Sequence, residues 1–218
     1  MRKVVIPPAL EQSRVVAILR RTEAALAVET AEALLKGGIS VIEVTLNTPG
    51  ALEMLRAMRD AVGDRAVLGA GTVLDIAAAD EALDAGAAFI VSPHTDIELV
   101  HEMAGRGVPC IPGAFTATEV FSAWRAGASV VKLFPAGPVG ASYLKDLRGP
   151  LSDIRLLPTG GVTLDNAATY IAAGAWGLGL GSALVAPDLV AGRRFDELTR
   201  RAAAFAAIAA GAVHDESS

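Results

Sequence analysis

Residues 31–46 read AEALLKGGISVIEVTL, and this stretch holds the repeating unit of the chain. An Ala- and Leu-rich segment of helical period runs into Lys36-Gly37-Gly38, where glycine supplies the left-handed cap that ends a helix. A short β-branched apolar run, Val41–Leu46, follows at once and has the pattern of a strand. Helix, tight turn and apolar strand in that order build a sheet covered by helices.

The same unit recurs. Eight apolar runs stand out: Val15–Arg20, Val41–Leu46, Ala66–Val73, Ala87–Pro93, Pro109–Gly113, Ser129–Pro135, Arg155–Gly161 and Gly177–Leu184. Between them the periodicity predicts helices over Glu23–Lys36, Pro49–Val62, Asp75–Asp84, Asp96–Arg106, Thr118–Ala126, Gly140–Arg148 and Leu164–Ala172, with a last one over Arg194–Ala210. Thr22-Glu23, Asp75, Thr118-Glu119 and Thr163-Leu164-Asp165 supply helix-start signals. Eight units of about 27 residues each are lean but sufficient for a (β/α)8 barrel. An open doubly wound sheet would carry a G-x-G-x-x-G turn after its first strand, and this chain has Ile18-Leu19-Arg20-Arg21 there. The expectation is α/β: a single-domain (β/α)8 TIM barrel over residues 1–218, with 214–218 a disordered tail.

Composition narrows the function. The 218 residues are 52% hydrophobic and only 5% aromatic, with 22 glycines, as suits helices packed closely on a sheet. The formal net charge is −5 with no basic run, which argues against nucleic acid or an anionic membrane as partner. Pro7, Pro8 and Glu11 interrupt any signal-peptide core, and no 18-residue apolar span is free of charges, so the expected location is cytoplasmic. The single cysteine, Cys110, excludes a disulfide framework and reads as a buried apolar filler. His94, His101 and His214 assemble no three-ligand centre, so neither metal nor cofactor is expected. Trp124 and Trp176 read as packing residues.

The chain has four lysines, and Lys132 stands in the apolar run Val130-Val131-Lys132-Leu133-Phe134-Pro135. A buried ammonium is costly unless it is paired or neutral. One reading is an ion pair with Glu43, the lone carboxylate in Val41–Leu46. The other is a Schiff-base lysine whose free amine attacks a carbonyl, helped by a nearby cation such as Arg20. Glu43 would then be the general acid/base. The glycines of Pro158-Thr159-Gly160-Gly161-Val162 and Gly177–Leu184 let backbone N–H groups approach a phosphate, and a short helix beginning near Ser182 is expected to add its dipole.

Together these segments resemble the 2-keto-3-deoxy-6-phosphogluconate (KDPG) and 4-hydroxy-2-oxoglutarate aldolases, the class I pyruvate aldolases. The resemblance rests on Ile42–Leu46 (IEVTL), Gly69–Val73 (GAGTV), Val91–His94 (VSPH), Ile111–Gly113 (IPG), Val131–Pro135 (VKLFP), Pro158–Val162 (PTGGV) and Gly181–Val185 (GSALV). It implies a homotrimeric barrel without a metal, acting on a phosphorylated keto acid. Lys132 would form the imine and Glu43 would carry the proton. Arg20 and Thr72 would hold the pyruvate carboxylate, Pro93 and Phe134 would shape the pocket, and Gly160, Gly161, Gly181 and Ser182 would cradle the phosphate. Some members place an arginine four residues after the glutamate, where this chain has Asn47, so Arg20 is read as its substitute. The run L-N-T-P also resembles the 6-phosphogalactonate aldolases, which leaves the substrate epimer open. The rival readings are an imine-free phosphate-binding barrel, an inactive scaffold and a metal-dependent pyruvate aldolase.

Overall fold

The computed structural model describes residues 4–214. Its strands are β1 (Val15–Leu19), β2 (Val41–Thr45), β3 (Val67–Gly71), β4 (Ile90–Val91), β5 (Cys110–Ile111), β6 (Gly113–Ala114), β7 (Val131–Leu133), β8 (Leu156–Pro158) and β9 (Leu178–Leu180). They form one sheet of order β5-β4-β3-β2-β1-β9 and a second of order β6-β7-β8, with every pairing parallel. This is an α/β fold on curved parallel sheets. β5 and β6 are one expected strand interrupted at Pro112, which has no N–H to give a ladder. A parallel bridge between Thr159 and Gly179 joins the end of β8 to β9.

Alternation along the strands sorts the apolar residues into two clusters. Val15, Ala17, Leu19, Ile42, Val44, Leu68, Ala70, Val131, Leu133, Leu178 and Leu180 pack in one cluster with the helices. Val16, Ile18, Val41, Phe89, Val91, Ile111, Val130, Leu157 and Trp176 pack with one another in a second, on the inner face of the sheets. Successive strand side chains point to opposite faces, so Arg20 continues the inner file of Val16 and Ile18, Glu43 that of Val41, and Lys132 that of Val130.

The N-terminal side of the inner cluster is closed by a helix that the periodicity does not reveal, Pro8–Ser13, whose Leu10 is fully buried among the inner residues. Six residues are too few to show a helical period. The guanidiniums of Arg14 and Arg155 lie 5.5 and 5.7 Å from the Trp176 ring centroid. The outer helices largely follow expectation. Gly140–Arg148 and Leu164–Ala172 occupy the expected residues. Asp75 and Asp96 cap the helices Ile76–Asp84 and Ile97–Gly105 by accepting from backbone N–H groups. The fifth outer helix begins at Ala117, capped by Thr116 and Glu119 in a reciprocal box, rather than at Thr118.

The last helix runs Phe195–His214 and so takes in His214, which was expected in the tail; residues 215–218 lie outside the described residues. Among the described residues no helix is long and apolar enough to cross a membrane.

Candidate active site

Lys132 is the middle residue of β7, paired in register with Gly113 on one side and Leu157 on the other. Its side chain is 7% exposed, and the ammonium sits 5.1 Å from the Phe134 ring centroid. Among the described residues no ion pair joins Lys132 to Glu43. The plain ion-pair account of this lysine therefore lacks its contact.

Glu43 is 2% exposed on β2, opposite Ile18 of β1 and Gly69 of β3. Desolvation raises its carboxyl pKa above the ordinary value of 4.5, while Lys132 and then Arg20 pull it partly back. Both cations thus act on this carboxylate at a distance. Gly71 is what makes room for it: a β-carbon at that position would overlap Oε1, Cδ and Cγ of Glu43. The sequence shows Gly71 only as part of a glycine-rich strand end. Its part in the site depends on the side chain lying over it from the neighbouring strand.

The raised pKa makes stability depend on pH. The folded state binds the Glu43 proton more tightly than the unfolded chain, so this contribution is fully present below 4.5 and is lost as pH rises through the folded value. Glu43→Gln is therefore expected to remove that slope, and to melt higher than the wild type at pH 8 by an amount that shrinks toward pH 4.5. Thermal melts across that range read it. An equal gap at every pH would contradict it.

Arg20 is exposed at the end of β1 and has no ion-pair partner among the described residues. Thr72, half-buried at the end of β3, holds φ at 57°, a left-handed conformation that is a genuine outlier for a β-branched residue. Such strain costs on the order of 1–3 kcal/mol and collects at functional sites. Pro93 follows β4, where its backbone lies so close to Gly113 that a β-carbon there would overlap it. The Phe134 ring lies between Lys132 and the loop after β8, since a β-carbon on Gly160 would stand 3.1 Å from its Cε2.

Gly160 and Gly161 both have positive φ, 80° and 87°. Their loop is tied to the one after β7 by Gly137 N–H donating to Gly160 O (2.7 Å) and Ala136 N–H to Thr159 O (2.9 Å). After β9, Leu184 and Val185 N–H groups donate back to Gly181 O, so residues 182–184 form a single turn. The helix expected near Ser182 begins instead at Pro187, as Pro187–Ala191. Among the described residues the N–H groups of Gly161, Val162, Ser182 and Ala183 have no acceptor, and they belong to the two loops that follow the Thr159–Gly179 bridge in the chain.

A cavity of about 120 Å³ between the loops after β1 and β9 is lined by Arg20, Arg21, Thr22, Val185 and Pro187, among others. A larger hollow of about 340 Å³ at Leu46–Glu53 and Glu81 lies outside the Lys132 cluster. No group of three or more His, Cys, Asp or Glu among the described residues could hold a metal ion. Cys110 is buried, with its thiol pushed up to about 12 by desolvation, as an unreactive filler would be.

The family model for KDPG and KHG aldolase matches residues 6–201. The chain belongs to the KDPG and KHG aldolase family. It is 39% identical over 191 residues to the 2-dehydro-3-deoxy-6-phosphogalactonate aldolase of Escherichia coli (strain K12), covering 87% of this chain and 91% of that protein. It is 43% identical over 165 residues to the 2-dehydro-3-deoxy-phosphogluconate aldolase of Treponema pallidum (strain Nichols), covering 75% and 78%. The KDPG aldolase of Legionella pneumophila, solved with pyruvate captured as a covalent carbinolamine, superposes with a TM-score of 0.83 at 31% identity, over 90% of this chain and 96% of that one. As an aldolase, this chain is a carbon–carbon lyase.

In this aldolase the gap over Gly71 carries its own prediction. Gly71→Ala displaces the Glu43 carboxylate without touching a helix, and a shift of about 1 Å is expected to lower turnover by roughly 10²-fold. Steady-state kinetics beside a far-ultraviolet spectrum measure this, and unchanged turnover on folded protein would show that Glu43 tolerates displacement.

Proposed function

We propose that the protein reversibly cleaves KDPG to pyruvate and glyceraldehyde 3-phosphate through an imine on Lys132. The observation that carries this reading is a buried lysine on the same inner face as a buried carboxylate, with an arginine at the rim, neither cation having an ion-pair partner among the described residues.

The Lys132 amine adds to the C2 carbonyl and water leaves, giving a cationic imine. Glu43 takes the C4 hydroxyl proton, the C3–C4 bond breaks, and its electron pair moves into the imine to form an enamine. The aldehyde departs as glyceraldehyde 3-phosphate. Glu43 then returns the proton to C3, and water releases pyruvate and restores the amine. Burial suits Glu43 to both directions, because desolvation raises its carboxyl pKa and brings the protonated form within easier reach than in water.

Arg20 and Thr72 hold the keto-acid carboxylate, Pro93 and Phe134 bound the pocket, and the N–H groups around Gly160, Gly161, Gly181 and Ser182 receive the phosphate. The captured carbinolamine of the Legionella relative supports covalent chemistry with pyruvate in a closely similar fold. A second reading, cleavage of the galactonate epimer, is favoured by the runs Leu46–Pro49 and Phe115–Glu119 and by the similarity to the Escherichia coli enzyme. Activity on 4-hydroxy-2-oxoglutarate is the third.

The strands are read as one closed (β/α)8 barrel, supported by the continuity of β5 and β6 around Pro112 and by the Thr159–Gly179 bridge. The homotrimer rests on the family resemblance; exposed Phe115, Phe121 and Ile97 offer apolar surface for it. Coupled assays with both phosphorylated epimers, run beside borohydride trapping with pyruvate, test the reading. Turnover of neither epimer by protein that does trap pyruvate would redirect it to the hydroxy-oxoglutarate.

A further inference from the structure

Arg20 sits at the rim with no ion-pair partner among the described residues, yet the backbone on either side of it is held from below. Thr45, at the end of β2, and Thr48, in the following loop, are 2% and 3% exposed, and their hydroxyls are 3.0 Å apart. The Arg21 N–H donates to Thr48 Oγ1 at 3.0 Å, and Thr45 Oγ1 donates to Leu19 O at 3.4 Å. With those two ends fixed, the hydroxyl between them has one direction: Thr48 O–H donates to Thr45 Oγ1. The chain of bonds runs from Arg21 N–H through Thr48 and Thr45 to Leu19 O, so its ends grip the residues immediately before and after Arg20. Arg21 needs such a grip, because its φ of 57° lies in the left-handed region. Both threonines stand within five residues of Glu43 on the segment that carries it.

We propose that Thr48 and Thr45 are positioning residues that set the place of Arg20 relative to Glu43, and hence where the substrate carboxylate binds. The proposal rests on the reading above, in which Arg20 receives that carboxylate. It also gives Thr48 of the L-N-T-P run a task, in a chain where Asn47 stands in place of an arginine and the cation comes from the neighbouring strand end.

The test is retro-aldol kinetics on Thr48→Val, Thr48→Ser, Arg20→Ala and the Thr48→Val/Arg20→Ala double variant. Thr48→Val is expected to raise KM by about tenfold while kcat moves less than about threefold, and Thr48→Ser, which keeps the hydroxyl, to restore the wild-type value. In the Arg20→Ala background the effect of Thr48→Val is expected to fall to within about twofold, since a residue acting through Arg20 has nothing left to act on. Thr45→Val enters the chain from its other end and should repeat the pattern, which covers the case that one valine variant folds poorly. A full Thr48→Val effect persisting without Arg20, or no KM effect in either valine variant, overturns the proposal. Wild-type protein that forms no pyruvate adduct with borohydride fails the aldolase reading itself. An adduct together with an additive cycle fails the positioning role alone.

Discussion

Lys132→Arg is expected to lower turnover by on the order of 10⁴-fold or more, because it keeps the positive charge and removes the nucleophile. Arginine fills much of the same volume on the inner face of β7 and still offers a cation to Glu43. A lysine needed only as a counter-ion would therefore survive this exchange with most of its activity. An imine-forming lysine would not, since a guanidinium does not attack a carbonyl at neutral pH. Borohydride with pyruvate separates the two without reference to the aldehyde product. The wild type should gain one pyruvyl adduct on the peptide carrying Lys132, and the variant none. An adduct on Lys36 or Lys145 in place of Lys132 would move the chemistry elsewhere. No adduct on folded protein would leave the imine-free phosphate-binding barrel as the better reading.

Glu43→Gln is expected to lower kcat by roughly 10²–10⁴-fold while leaving KM nearly unchanged, the loss typical of a general acid/base. Glutamine preserves the shape over Gly71 and cannot carry the proton. Exchange of the pyruvate methyl hydrogens with solvent, which reports proton return at C3, should be lost in parallel. The wild-type rate should fall on the acid side of its pH profile at a pH above 4.5, because burial holds the carboxyl protonated further up the scale. That limb should vanish in the glutamine variant. A limb that remains would assign it to another group.

Much of this was legible in the sequence, and the gaps have physical causes. Helices with a capping residue and a glycine stop, such as Leu164–Ala172 after Thr163, stand where the periodicity puts them. The misses are short: Pro8–Ser13 and Pro187–Ala191 span too few residues to display a period. The turn after Gly181 reads as a helix start because a turn and a first helical turn draw on the same residues. Lys132 and Glu43 stand out because a charge inside a β-branched run conflicts with its surroundings. Gly71, Thr45 and Thr48 do not, because each acquires its role from a residue on a neighbouring strand. That information lies in the register between β1, β2 and β3 and in no single segment.

The two files of each strand have a consequence for how the length of this chain can change. Arg20, Glu43 and Lys132 reach the inner face by the same alternation that places Val16, Val41 and Val130 there. Deleting or inserting one residue within β1, β2 or β7 would turn the charged group out among the helices and bring an outer leucine or valine inward, losing core packing and chemistry in one event. The tight turn that leads from helix into β2 offers no refuge either: a β-carbon at Gly37 would overlap Ala202 Cβ and Thr199 O of the last helix, and Gly38 holds φ at 86°. A deletion scan across residues 31–46 should therefore show loss at Gly37 and Gly38 as well as from Val41 to Thr45.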